Sequence, residues 1–289
     1  KRVKEFLSLT RGFELHHIRM LTDDDKNDGM PTRENMINGM KWLVEGAQPG
    51  DSLVSLTPGS FRSSYSLFQF FHYSGHGGQQ EDTTGMEEDG LDETIMPIGF
   101  QTAGHITADT IHDLLVRPLP AGVRLTAIFD SCHSQTAMDL PYVYHSKESE
   151  YRTAHKANDG GIIGRHIGLA KEFYKPKNII KHVRDEYTHQ KTKHECRRRC
   201  EEQNTSKALV MMIAGCRDDQ TSSDTTFQGE ATGAMSYAFS KVLNLHPNQT
   251  WRTLIKEMRD LLHKGDKEFE QMPQLSMGRP VDPDIKVIF

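Results

Sequence analysis

Cysteine is scarce in these 289 residues: Cys132, Cys196, Cys200 and Cys216 are all there are, too few for a disulfide scaffold of this size. Long apolar runs are missing too. The longest, Ala208 to Cys216, falls well short of the roughly 18 residues of a membrane span, so no membrane partner is expected. Positive charge is not in excess: 35 Lys and Arg against 40 Asp and Glu give a net charge of −5, which argues against nucleic acid as a partner. The first residues, KRVKEFLSLTRGF, are basic but too polar for the core of a secretory signal. Because the chain begins on Lys rather than Met, its first element is expected to be missing. What is present is a composition of 36% hydrophobic and 26% charged residues with 23 Gly, enough for a packed core. The expectation is a soluble, intracellular protein of one large α/β domain or two small ones, monomeric, in the cytoplasm with the nucleus as an alternative.

Strands and helices alternate in the pattern. Phe13 to Leu21 has strand length and ends in the acidic turn Thr22-Asp23-Asp24-Asp25. A helix is predicted after Pro31, with Thr32 as cap, Glu34 in its first turn, and Met36, Ile37, Met40, Leu43 and Val44 on one face. Gly46 marks its end. Another, near Ala108 to Val116, buries Ile111, Leu114 and Leu115 and precedes a buried strand from Val123 to Phe129. Ala208 to Ala214 reads as a strand covered on both faces. Thr232 is placed as cap of a helix burying Met235, Ala238, Phe239 and Val242. Thr250 is placed as cap of one burying Trp251, Leu254, Ile255, Met258, Leu261 and Leu262, and a last strand is expected from Ile285 to Phe289. The sum is a mostly parallel sheet with helices on both faces.

Two stretches interrupt this pattern. His145 to Ser206 holds 14 of the 35 Lys and Arg residues with little hydrophobic periodicity, and reads as a basic linker or surface insertion. Val54 to Gln69 contains Pro58-Gly59 and splits a strand. Its removal would join Gly50-Asp51-Ser52-Leu53 to Phe70-Phe71-His72-Tyr73. Val is encoded by GT-initiated codons and Gln by CAG, the usual borders of an intron, so the segment reads as a retained intron or a gene-model error.

The chemistry gathers at two strand ends. A cysteine nucleophile needs a thiolate, a base, and N–H donors for the oxyanion. In FFHYSGHGGQ, residues 70 to 79, His76 follows a strand and is flanked by Gly75, Gly77 and Gly78. In IFDSCHSQ, residues 128 to 135, Cys132 follows another. Loops beyond the carboxyl ends of strands are where open α/β sheets bind ligands, so a Cys–His dyad is expected.

HYSGHGGQ paired with DSCHS, followed by TAMDLPYVY, closely resembles the metacaspases, caspase-like cysteine peptidases of fungi, plants and protists. PTRENMINGMKWLVEGAQPGDSL, EEDGLDETIMP, GHITADTIHDLLVRPLP, SSDTTFQGEATGAMSYAF and QMPQLSMGRPVDP extend the resemblance over nearly the whole chain, in its type I, fungal-like form. It implies a caspase-like three-layer α/β/α sandwich with a mostly parallel central sheet. Residues 1–145 would be the large-subunit-like part, 146–206 the linker, and 207–289 the small-subunit-like part. It also implies that His76 is the general base and acid, that Cys132 is the nucleophile, and that the N–H groups of Gly77 and Cys132 form the oxyanion hole. Asp130 and Ser74 would line the pocket for an Arg or Lys side chain, which a buried carboxylate suits. The partners would then be protein or peptide substrates with Arg or Lys before the scissile bond. A caspase proper, cleaving after Asp, is disfavoured because Asp130 repels an acidic side chain.

Many metacaspases require calcium, and the matching positions are Asp92, Asp109 and Asp139, with Asp89 nearby. Where the family shows two consecutive aspartates this chain has Ala108-Asp109, so weaker Ca2+ binding is expected. His194-Glu195-Cys196 with Cys200 offers too few ligands, too loosely spaced, for zinc. Arg197-Arg198-Arg199 reads as a self-cleavage segment, with a nuclear-import patch or a solvated loop as alternatives. Three departures from the family remain. Its first central strand is expected to be missing, Val54 to Gln69 intrudes, and Gln135 stands where Gly is usual. They support one alternative reading: a truncated, weak or inactive homologue acting as a binding module.

Overall fold

A computed structural model describes residues 2–25, 29–48, 68–87, 89–131, 134, 136–144, 152–153, 195–215, 224–227, 230–263 and 272–288. Its centre is a six-stranded sheet of β1 (Phe68–Ser74), β5 (Arg124–Asp130), β8 (Leu209–Ala214), β11 (Gln274–Met277), β6 (Tyr142–Tyr144) and β7 (Arg152–Thr153), in that spatial order. β1, β5 and β8 run parallel, while β11 is antiparallel to both β8 and β6. A second sheet joins β2 (Gly77–Glu81), β3 (Leu91–Ile95) and β4 (Ile106–Thr107), and β9 (Asp224–Phe227) pairs with β10 (Glu230–Gly233).

Alternation along the central strands sends side chains to two faces. Leu125, Ala127 and Phe129 of β5, with Val210 and Met212 of β8, meet Met36, Met40, Ile111 and Leu115 from the helices Arg33–Val44 and Ala108–Leu115. Ile128, Met211 and Ile213 turn the other way. They pack with Met235, Phe239, Trp251, Leu254 and Met258 from the helices Ala234–Leu245 and Trp251–His263. The result is the expected three-layer sandwich with a mostly parallel sheet.

Helix ends follow the sequence in two of three cases. Thr32 accepts from the Asn35 N–H, and Gly46 takes a φ of 72° just past the end of that helix. Thr250 and Thr253 cap each other reciprocally, each hydroxyl accepting the other's N–H. Thr232 is not a cap: it lies in β10, and the N-cap of the next helix is Gly233. The reason is Asp130, whose carboxylate reaches over from β5 and leaves no room for a side chain at 233.

Three other expectations change. Phe13 to Leu21 is not a strand but a 3-10 turn, Leu15–His17, between extended residues. Its apolar residues do not share one side. Phe13 and Ile18 join the core beside the helix Ala234–Leu245, Leu15 is 61% exposed, and Leu21 packs on the opposite face. The segment therefore passes from one layer to the other. Ile285 to Phe289 is no strand either; within 285–288 it makes a single bridge, Lys286 to Thr250, because Trp251 and Arg252 take up the nearby carbonyls. In the basic segment, residues 195–204 form a helix that buries Cys196 and Cys200; residues 154–194 lie outside the described residues. So does the intrusive stretch up to residue 67, but Phe68 and Gln69 belong to β1, opposite Arg124 and Leu125.

Candidate active site

β1 and β5 are neighbours in register, Ser74 opposite Asp130. His76 follows Ser74 by two residues, and Cys132 follows Asp130 by two. The two motifs thus leave the sheet side by side at the carboxyl ends of adjacent parallel strands. His76 is exposed. Cys132, His133 and Gln135 lie outside the described residues. Ser131 and Ser134 on either side are buried, with the Ser134 hydroxyl donating to the Ser131 carbonyl at 3.0 Å. Gly77, the other oxyanion-hole residue expected, begins β2 opposite Ile95.

A residue missed in the sequence holds the histidine turn. The Tyr73 hydroxyl donates to the His76 carbonyl at 2.8 Å and accepts from the Met96 N–H at 3.3 Å. The Met96 N–H also reaches the His76 carbonyl at 3.1 Å. Burial pushes the Tyr73 pKa up to about 12, so the phenol keeps its proton. Gly75 is required by the same ring, since a Cβ there would lie 2.7 Å from the phenol oxygen.

Asp130 is only 3% exposed. Its Oδ2 accepts the backbone N–H of Ser236 at 2.9 Å and the Ser236 hydroxyl at 2.7 Å. Ser236 is the third residue of the helix Ala234–Leu245, so the carboxylate meets the positive end of that helix. On the far side of the hydroxyl lies His72, its Nε2 2.8 Å from Ser236 Oγ. Burial pulls the His72 pKa down to about 4, leaving the imidazole neutral. Neither His72 nor Ser236 carries a motif signal of its own. Strand alternation alone places His72 on the Ser74 face, whereas Ser236 arrives from 164 residues further on.

A crowd of carboxylates lies beside the second sheet. Burial, with Asp109 nearby, raises Asp92 to about 7, although the Ala108 N–H donates to its Oδ1. Burial with Glu93 and Asp92 raises Glu87 to about 9. Asp139, buried and in the left-handed region at φ 46°, is pushed well up by burial and by Glu87, Asp92, Asp109 and Glu93. Its Oδ1 has no hydrogen-bond partner among the described residues. Glu93 accepts from Gln79 and Thr136. Asp92 and Asp139 thus both feel the charge of Asp109, and Glu87 and Glu93 crowd Asp139 as well. The donor set is hard oxygen with surplus negative charge and an unsatisfied buried acceptor, the chemistry a calcium ion takes, although among the described residues no three of these carboxylates bring their oxygens within 4.8 Å of one another.

The other candidates behave differently. Cys196 and Cys200 are buried thiols on the 195–204 helix, and burial with Asp139 nearby pushes the Cys200 thiol well up, the opposite of what a zinc thiolate needs. Arg197 to Arg199 lie in that helix, which has to unwind before a peptidase can thread it.

Residues 1–141 match the model of the metacaspase, peptidase C14 domain. Metacaspase-1 of Mycosarcoma maydis is 42% identical over 287 residues, covering 99% of this chain and 66% of that protein. Metacaspase-1A of Neurospora crassa is 41% identical over 296 residues, covering 99% and 59%. Metacaspase-1 of Scheffersomyces stipitis is 40% identical over 305 residues, covering 100% of this chain and 67% of its own length. The chain thus spans about three-fifths to two-thirds of these relatives. A solved protein of Geobacter sulfurreducens aligns with 89% of this chain and 78% of its own at a TM-score of 0.49 and 22% identity. With the two motifs at adjacent strand ends and such identity along its whole length, the chain belongs to the metacaspase family.

Proposed function

We propose that this chain is a cysteine endopeptidase that cleaves after Arg or Lys. The observation that supports this most is the Ser74–Asp130 register, which brings the His76 and Cys132 motifs to neighbouring strand ends. Cys132 Sγ, its proton passed to His76, attacks the scissile carbonyl. The N–H groups of Gly77 and Cys132 hold the oxyanion, and His76 returns the proton to the leaving amine. His76 then draws a proton from water, whose oxygen displaces Sγ and releases the acid. Asp130, beside Ser74, takes the cationic side chain of the substrate.

Calcium, held by Asp92, Asp109 and Asp139 with Glu87 beside them, supplies positive charge to that acidic crowd. Self-processing falls in the basic 146–206 segment. The protein works as a monomer in the cytoplasm.

The test is hydrolysis of Arg-, Lys- and Asp-ended fluorogenic peptides by the full-length protein, with and without calcium, beside Cys132→Ala. Turnover of the basic peptides that the variant lacks is expected. Wild-type turnover no greater than that of Cys132→Ala would leave a non-catalytic homologue.

A further inference from the structure

The hydrogen bonds around Asp130 form a directed chain. The Ser236 hydroxyl has one proton, and it goes to Asp130 Oδ2. The 2.8 Å contact between His72 and Ser236 Oγ therefore needs its proton from the imidazole, which assigns the neutral Nε2–H tautomer to His72. Each donor in such a series strengthens the next. The Ser236 N–H, at the positive end of its helix, adds a second donor to the same oxygen. Gly233 closes over the carboxylate, since any Cβ there would overlap it, and Oδ1 points to the Gly215 side, 3.5 Å from where a Cβ at 215 would lie. Both donors to Oδ2 thus come from the helix Ala234–Leu245, and His72 of β1 backs the hydroxyl from behind.

The geometry points to Ser236 and His72 as positioning residues for Asp130: they fix the orientation and charge of its carboxylate and so set the preference for a cationic side chain before the scissile bond. This rests on Asp130 being the group that receives that side chain. Neither residue touches the reacting atoms. An oriented carboxylate matches the planar fork of a guanidinium, whereas a rotating one presents its charge without the bidentate geometry. The part of the substrate affected is its charge, not its backbone.

The test compares two peptides that differ only in Arg or its uncharged isostere citrulline before the cleaved bond, using the full-length protein. Wild type favours Arg. Ser236→Ala should lower the Arg-to-citrulline ratio of kcat/KM roughly tenfold, mostly through KM, about the effect of losing one hydrogen bond to a charged group. Ser236→Thr keeps the hydroxyl and restores the ratio. His72→Leu, which removes the outer donor, lowers the ratio less, and His72→Gln, which keeps an N–H, recovers it. Loss of folded protein slows both peptides alike and leaves the ratio unchanged, so an unchanged ratio in Ser236→Ala overturns the positioning role. Should that variant not fold, the order of His72→Gln above His72→Leu decides, and equal ratios overturn it. A wild type that does not prefer Arg refutes the role of Asp130 itself, a separate failure from an unchanged variant.

Discussion

Tyr73 illustrates how one side chain ties the His76 turn to a scaffold. Its phenol oxygen bridges the His76 carbonyl and the Met96 amide, so the backbone of His76 is tied to the second sheet. Tyr73→Phe should lower kcat by roughly ten- to a hundredfold with a smaller change in KM, since loss of a buried hydroxyl contact is worth about 1–3 kcal/mol. Equal kcat in steady-state kinetics would show that the glycines alone hold the turn. His72 makes a second prediction. Burial lowers its pKa from 6.5 to about 4, so between those values the unfolded chain binds the extra proton. The stability from this residue is full above pH 6.5 and is lost as pH falls toward 4, by up to about 3 kcal/mol. Chemical unfolding followed from pH 7 to 4 should show a steeper loss for wild type than for His72→Gln, which has nothing to protonate.

At the scale of elements, β1 shows what was legible in the sequence and what was not. The run FFHYS announces a strand, and its partner IFD announces another, because both are short, apolar and end in turn residues. The helices were legible from spacing and caps, as Thr32 and Thr250 show. Phe13 to Leu21 misled because apolar residues at strand spacing do not reveal that the chain is changing layers. Thr232 misled because the group that caps the next helix, Asp130, lies about a hundred residues away, and a cap supplied across the fold leaves no local mark. The Val54 to Gln69 stretch can be tested here. Gln69 stands opposite Leu125, and its Oε1 is buried without a hydrogen-bond partner among the described residues. Deleting residues 54–69 puts Ser52 and Leu53 directly before Phe70, so Leu53 replaces that stranded amide with an apolar side chain. The deletion should raise the thermal midpoint by a few degrees, about 1–2 kcal/mol. A fall in the midpoint would mean that the segment belongs to the folded domain. Independently, a spliced transcript still encoding all sixteen residues ends the intron reading.

For the whole molecule, the two motifs that carry His76, Asp130 and Cys132 were readable because each is contiguous and sits at a strand end. The acidic crowd was only half readable. Family resemblance pointed to Asp92, Asp109 and Asp139, but nothing in the sequence pointed to Glu87 and Glu93, which only folding brings against Asp139 and Thr136. That crowd links the β2–β3–β4 sheet, the helix Ala108–Leu115 and the turn after β5, so its charge is felt by the folded state as a whole. Without a cation it works against folding, because buried like charges raise one another's free energy. Asp139→Asn separates the two consequences. Asn tolerates the left-handed backbone at 139 and keeps the side-chain shape, so the substitution removes, with little backbone strain, a carboxyl that on folding must either bind a proton or stay charged among like charges. In the calcium-free protein, Asp139→Asn should therefore raise the thermal midpoint, by about 1 kcal/mol or more. Calcium should reverse the order. At about a hundred times its dissociation constant it stabilises wild type by roughly 2.7 kcal/mol through linkage, and the variant, having lost a ligand, by less. Thermal melts of both proteins in chelator and in millimolar calcium should cross over in this way. Parallel shifts in the two proteins would show that Asp139 holds no calcium.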